Sequence, residues 1–274
     1  MSAVPDRATL ARLALAAGER ILAHEGRIRH EDAERKGVRD LVTAADLEAE
    51  RVVTEGLARA YPDIALVAEE AVSRLGDRQA HARRILEQNE LCFVLDPLDG
   101  TTNFAHGHPF YAVSLALVDR AGPRIGVVYA PRLGELFVAE RGAGTTLNGR
   151  RVRVSRTTDL ADCVFATGFP YRRNELSARE NNVEHFHRFV MDVRDVRRCG
   201  SAAIDLAYVA CGRYDVFFEA QLEAWDVAAG ALLVREAGGV VTDYAGGDAW
   251  LTGRQMLATN GAVHEAARSR LQAP

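Results

Sequence analysis

Residues 91–95, Leu-Cys-Phe-Val-Leu, are an unbroken apolar run that ends on Asp-Pro-Leu-Asp-Gly. Its length and lack of alternation predict a strand covered on both faces, the setting of an α/β architecture. The strand delivers Asp96 and Asp99 to its end, with Pro97 holding Asp96 extended. Gly100 permits a sharp turn, and Thr101 and Thr102 follow it. Acidic and hydroxyl groups therefore concentrate where the backbone changes direction, which is where α/β folds place ligands.

The rest of the chain supplies alternating helices and strands around this run. Leu10, Leu13, Ala14, Ala17, Ile21 and Leu22 recur at three- and four-residue spacing and predict an amphipathic helix over residues 8–23. The charged segment 24–40 reads as a solvated loop or hairpin, from which Lys36 could reach a substrate. A second helix runs from 41 to 61, ahead of Pro62, and Thr43 with Asp46 gives it a capping-box start. Residues 64–68 predict a strand ending on Glu69-Glu70, two acids expected to be solvated. Alternation over 111–119, 124–130 and 135–141, with a short strand over 151–154, predicts an antiparallel meander.

A polar run at 155–159 separates two apolar patterns, so two halves are expected, 1–155 and 156–274. The second half shows strands at 163–167, 193–199, 216–219, 240–242 and 256–259. Its helices fall at 177–191, from Gly200-Ser201 to 211, at 227–237 behind an Asp226 cap, and from about 262.

Composition excludes several classes. A formal charge of −4 argues against nucleic acid as a bulk electrostatic partner. The sequence shows no secretory-type leader and no run of about 18 apolar residues, so a cytoplasmic protein without a membrane span is expected. Cys92, Cys163, Cys199 and Cys211 form no Cys-x-x-Cys pair, and read as reduced, mostly buried thiols. His106, His108, His185 and His187 lack zinc-site spacing, and Gly200-Ser201-Ala202 lacks the Gly-x-Ser-x-Gly elbow of a serine nucleophile.

Acids at strand ends and helix starts remain. Two carboxylates about 4 Å apart repel by about 4 kcal/mol at a protein-like effective dielectric, so a converging set needs protons or divalent cations. Oxygen-only ligation favours magnesium or manganese. Such ions suit phosphate-monoester hydrolysis, with glycine turns at Gly100-Thr101 and Gly200-Ser201 offering N–H groups to anionic oxygens. Taken singly, Asp46, Asp226 and Ser201 also read as helix-start residues.

Five blocks then carry a resemblance: Asp40-Leu-Val-Thr-Ala-Ala-Asp46, Ala68-Glu-Glu70, Leu95-Asp-Pro-Leu-Asp-Gly-Thr-Thr-Asn-Phe104, Gly200-Ser-Ala-Ala203 and Trp225-Asp-Val-Ala-Ala-Gly230. In order and spacing the chain resembles the inositol monophosphatase family of magnesium-dependent, lithium-sensitive phosphatases. The resemblance implies a layered αβαβα sandwich with mixed sheets, and a homodimer. It implies Glu69, Asp96, Asp99, Asp226 and the Leu98 carbonyl as ligands of two or three magnesium ions, manganese being an alternative, with Asp96 bridging two of them. Asp46 and Thr101, assisted by Glu69, would orient a metal-activated water for direct attack. Leu98, Gly100, Thr101 and Thr102 would surround the phosphate, and Gly200, Ser201, Ala202 and Glu219 the hydroxyl-bearing part of the substrate. Thr101-Thr-Asn-Phe104 resembles the inositol-phosphate branch more than those acting on 3′-phosphoadenosine phosphate or histidinol phosphate. The loop Gly168-Phe-Pro-Tyr-Arg-Arg and Ala224 depart from the animal enzymes, which leaves a fructose-1,6-bisphosphatase or a 3′-phosphoadenosine phosphate phosphatase as the within-class alternative and a regulatory binding partner as the other class.

Overall fold

The computed structural model describes residues 4–27, 33–35, 41–75, 77–171, 173–177 and 180–272. Lys36, Asp40 and Arg172 lie outside these residues. Helix α1 (Arg7–His24) is capped by the Asp6 side chain, and buries Leu10, Ala14, Ala17 and Ile21 along one stripe. A short pair, β1 (Glu34–Arg35) and β2 (Leu41–Val42), precedes α2 (Ala44–Ala60), whose N-cap is Thr43. Then follow β3 (Ala65–Ala68), α3 (Glu69–Ser73), α4 (Arg78–Gln88), β4 (Leu91–Asp99), α5 (Thr101–Ala105), β5 (Ala112–Asp119), β6 (Gly122–Ala130), β7 (Glu135–Glu140), β8 (Gly144–Leu147) and β9 (Arg150–Arg151). Strands β3 to β9 form a seven-stranded sheet in chain order. Its β3–β4 pair is parallel and the other pairs are antiparallel.

The second sheet is built from β10 (Val164–Thr167), β11 (Asp195–Arg197), β12 (Val216–Ala220), β13 (Val240–Thr242) and β14 (Gln255–Thr259) in the order β11-β10-β12-β14-β13. Helices α6 (Val183–Val190), α7 (Ala202–Ala210), α8 (Ala224–Glu236) and α9 (His264–Gln272) alternate with these strands.

Three cores stack these elements into five layers. Leu10, Val53, Phe93 and Leu115 join α1 and α2 to one face of the first sheet. Val128, Leu206, Phe217 and Leu233 show α7 and α8 filling the space between the sheets. Phe189, Phe218 and Leu271 close the outer face of the second sheet with α6 and α9. The result is the expected αβαβα sandwich of mixed sheets. Each fully buried Leu or Phe contributes about 1.5–3 kcal/mol, which makes the central layer the main anchor of both sheets. Helix α8 lies flush on the first sheet because Gly126 of β6 has no side chain: a Cβ there would stand 2.8 Å from the Ala229 carbonyl oxygen.

Some boundaries differ from the sequence pattern. The helix expected over 177–191 begins at Val183, after Asn182 adopts a left-handed φ of 68°. Strand β9 stops at Arg151, and Val154 instead donates its N–H to the Ala237 carbonyl at the end of α8. The strand expected over 193–199 shortens to β11, an edge strand with one neighbour. Glu69 and Glu70 are not a solvated strand end: they open α3, and Glu70 is 3% exposed.

Candidate active site

Strand register brings the first two acids together. Ala68 of β3 pairs with Leu95 of β4 in a parallel ladder, so Glu69 leaves β3 beside Asp96, which continues in β4. Asp96 and Asp99 would point to opposite faces of a regular strand, because side chains alternate with a period of two. The register shifts between the pairs Asp96–Ser114 and Asp99–Ala112, and this bulge re-aims the strand end so that both acids reach one cleft. Gly100 then turns the chain with φ 97°, under the Phe110 carbonyl, which a Cβ would meet at 2.8 Å. Ser114 Oγ donates to the Trp225 carbonyl at 3.0 Å, which ties the first turn of α8, and with it Asp226, to β5.

Glu69, Asp96, Leu98, Asp99, Gly100, Thr101, Gly200, Ser201, Ala202, Glu219 and Asp226 all line a cleft of about 940 Å³. Asp46 lies behind that wall. It is reached through Thr101 Oγ1, which donates to Asp46 Oδ1 at 2.8 Å and also lies 3.1 Å from the Leu98 carbonyl oxygen. Thr102 follows in α5 and is absent from the cleft lining.

Burial and repulsion from neighbouring acids keep Asp96, Asp99, Glu219 and Asp226 above the ordinary carboxylate range. Burial pushes Asp96 well up, and Glu69, Asp99 and Asp226 add to it. Asp226 is likewise raised by burial and then by Asp99. Asp99 rises to about 6 through burial, although Ser201 Oγ and the Ala203 N–H donate to its Oδ2 at 2.6 and 2.7 Å and pull the other way. Glu219 reaches about 8 through burial, opposed by Arg198. Protons are one way to relieve such crowding and hard divalent cations the other, and an all-oxygen donor set fits magnesium or manganese. Among the described residues no three His, Cys, Asp or Glu side chains already stand in coordinating positions around one point.

Of two helix starts, one departs from its sequence reading and the other keeps it. Asp226 is not the cap of α8. Glu223 is the N-cap, and Asp226, three residues on, accepts from the Glu223 N–H at 2.7 Å. Ser201 does cap α7, accepting from the Ile204 N–H at 3.3 Å, while its hydroxyl proton goes to Asp99.

Several residues of the site carried no sequence signal of their own. Asn103 Nδ2 bonds the carbonyls of Phe110 and Cys199, which joins α5 to the approach to α7. Glu223 pairs with Arg78 at 3.5 Å and Arg254 at 3.3 Å along the cleft. Asp205, 1% exposed on α7, also lines the cleft, and burial holds its carboxyl well above the usual range. A lone acid inside the apolar run Ala-Ala-Ile-Asp-Leu-Ala was the one hint available.

Comparison with known proteins places the chain among its relatives. A Nus factor SuhB of Pseudomonas aeruginosa is 40% identical over 261 residues, spanning 95% of this chain and 93% of its own. An inositol-1-monophosphatase of Synechocystis sp. is 42% identical over 252 residues, spanning 92% and 83%. The crystal structure of the extragenic suppressor protein suhB from Bartonella henselae superposes with a TM-score of 0.85 at 38% identity, covering 97% of each chain. The profile of the inositol monophosphatase family matches residues 5–273, and the chain belongs to that family.

Proposed function

We propose that the chain is a magnesium-dependent phosphomonoesterase acting on myo-inositol monophosphate or a similar phosphorylated polyol or sugar. The observation that carries this reading is the convergence of Glu69, Asp96, Asp99 and Asp226 from three separate elements, α3, β4 and α8, on one cleft. These acids and the Leu98 carbonyl would hold two or three magnesium ions, or manganese. When bound, such ions neutralise phosphate oxygens and lower the pKa of water.

The chain's own groups would orient the reactants. Thr101 has one hydroxyl proton, and its bond to Asp46 Oδ1 leaves oxygen lone pairs to accept from an attacking water. Glu69, beside Asp96, would bear on the same water. N–H groups of Gly100, Thr101 and Thr102 would receive phosphate oxygens at the start of α5. Gly200, Ser201, Ala202 and Glu219 would meet the substrate's hydroxyls from the second sheet. In this reading the halves 1–155 and 156–274 each contribute part of the site, which the separate sheets support. Water would attack phosphorus in line, its P–O bond forming as the ester P–O bond breaks and the alcohol leaves, without a phosphoenzyme. No helix among the described residues is long and apolar enough to cross a membrane. A cytoplasmic homodimer belongs to the same proposal.

The test is magnesium-dependent phosphate release across inositol monophosphate, fructose 1,6-bisphosphate, 3′-phosphoadenosine phosphate and histidinol phosphate, with lithium as inhibitor. Inositol monophosphate should give the highest specificity constant. Asp99→Asn should remove several kcal/mol of transition-state stabilisation, about a thousandfold in rate. Undiminished turnover in that folded variant would remove Asp99 from the metal site. The relatives named Nus factor SuhB support a second reading, a partner in a regulatory assembly. It takes precedence if the Asp99→Asn protein still restores the phenotype of a deletion strain.

A further inference from the structure

Helix α2 touches both loops that bring acids to the cleft. Asp46 and Glu50 are four residues apart on it and therefore share a face. Asp46 holds Thr101, the first residue of α5, two positions past the end of β4. Glu50 Oε2 accepts the Glu70 N–H at 2.8 Å, and the Glu50 carboxylate also accepts from the Ala71 N–H. Those two N–H groups belong to the first turn of α3, where orphan donors need an acceptor, and the N-cap residue Ala68 has no side-chain oxygen to offer. Glu50 supplies from a neighbouring helix the cap that the local sequence omits.

We propose that Glu50 is a positioning residue for Glu69: by fixing the first turn of α3 it sets the angle at which Glu69 leaves β3 beside Asp96. This rests on the metal-site reading above and extends it to a side chain absent from the cleft wall. The alternative is a cap that only stabilises α3. The two differ in what they do to ion binding, because supporting groups around a metal site alter affinity by about 10–100-fold when removed.

The experiment measures Mn²⁺ binding to the substrate-free protein by the electron paramagnetic resonance of free Mn²⁺, alongside the Mg²⁺ requirement for phosphate release and the melting temperature. Glu50→Ala should weaken Mn²⁺ binding and raise the Mg²⁺ requirement by about tenfold or more. Glu50→Gln keeps an acceptor oxygen of the same reach and should stay within a fewfold of the parent. Glu50→Asp keeps the charge but shortens the reach, should resemble Glu50→Ala, and replaces it if that variant does not fold. Parent-like Mn²⁺ binding in a folded Glu50→Ala or Glu50→Asp protein overturns the proposal, as does a Glu50→Gln protein as impaired as either. If the parent protein itself binds no Mn²⁺, or Asp99→Asn binds as well as the parent, the metal-site reading has failed instead.

Discussion

Asp46 and Asp226 hold the same position in the same local motif: each is the third residue of its helix, and each accepts the N–H of its own N-cap residue. Their surroundings differ. Around Asp46 both oxygens are engaged, Oδ2 by the Thr43 N–H at 2.8 Å and hydroxyl at 2.5 Å, and Oδ1 by Thr101. Asp226 has one oxygen on the Glu223 N–H and shares its cleft with Asp96, Asp99 and Glu69. A capping box therefore fixes where a carboxylate stands without deciding what it does. Saturation by hydroxyl donors suits Asp46 to orienting another group, while crowding by like charges suits Asp226 to a cation.

The comparison breaks most readily on substitution to asparagine. Asp226→Asn should lower magnesium-dependent turnover by about a thousandfold and abolish the rise in melting temperature that Mg²⁺ produces. Asp46→Asn should lower turnover by about a hundredfold, the low end for proton-transfer and positioning groups, and keep the Mg²⁺-induced rise. Equal loss of the thermal response in both would erase the distinction. A smaller effect concerns pH. Burial raises Asp46 from 3.8 to about 6, so the folded state binds its proton more tightly than the unfolded chain. That contribution is fully present below pH 3.8 and is lost as pH rises through about 6. In urea titrations with chelator, the stability of Asp46→Asn relative to the parent should therefore climb by about 2 kcal/mol between pH 4 and 7. A flat difference would mean that Asp46 is not held above its ordinary value. The smallest effect is on the cap itself: Thr43→Ala should cost about 1 kcal/mol of unfolding free energy in the same titration.

What could be read from the sequence follows from how local each cause is. The strand at 91–95, the capping box at Thr43 and Asp46, and the meander after Tyr111 are set by neighbours a few residues away, and their periodicity was visible. The bulge between Asp96 and Asp99 was not, because it depends on register with β5. Glu70 looked solvated because its burial comes from packing across the fold. Asp226 was read as a cap because aspartate is a good one, but the chain placed Glu223 there, held by Arg78 and Arg254 from distant segments. The family resemblance made the acids recognisable as a set. Glu50, which bonds to α3 from another helix, had no pattern to reveal it.

The bare backbone at Gly126 has a reach beyond its hairpin. Because α8 rests on the sheet there, the thickness of that contact sets how far Asp226 stands from the β4 acids. A strand residue about a hundred positions from the helix start, far outside the cleft, would thus serve as the shim that gauges the proposed ion site, and a single methyl group would be enough to throw it out of adjustment.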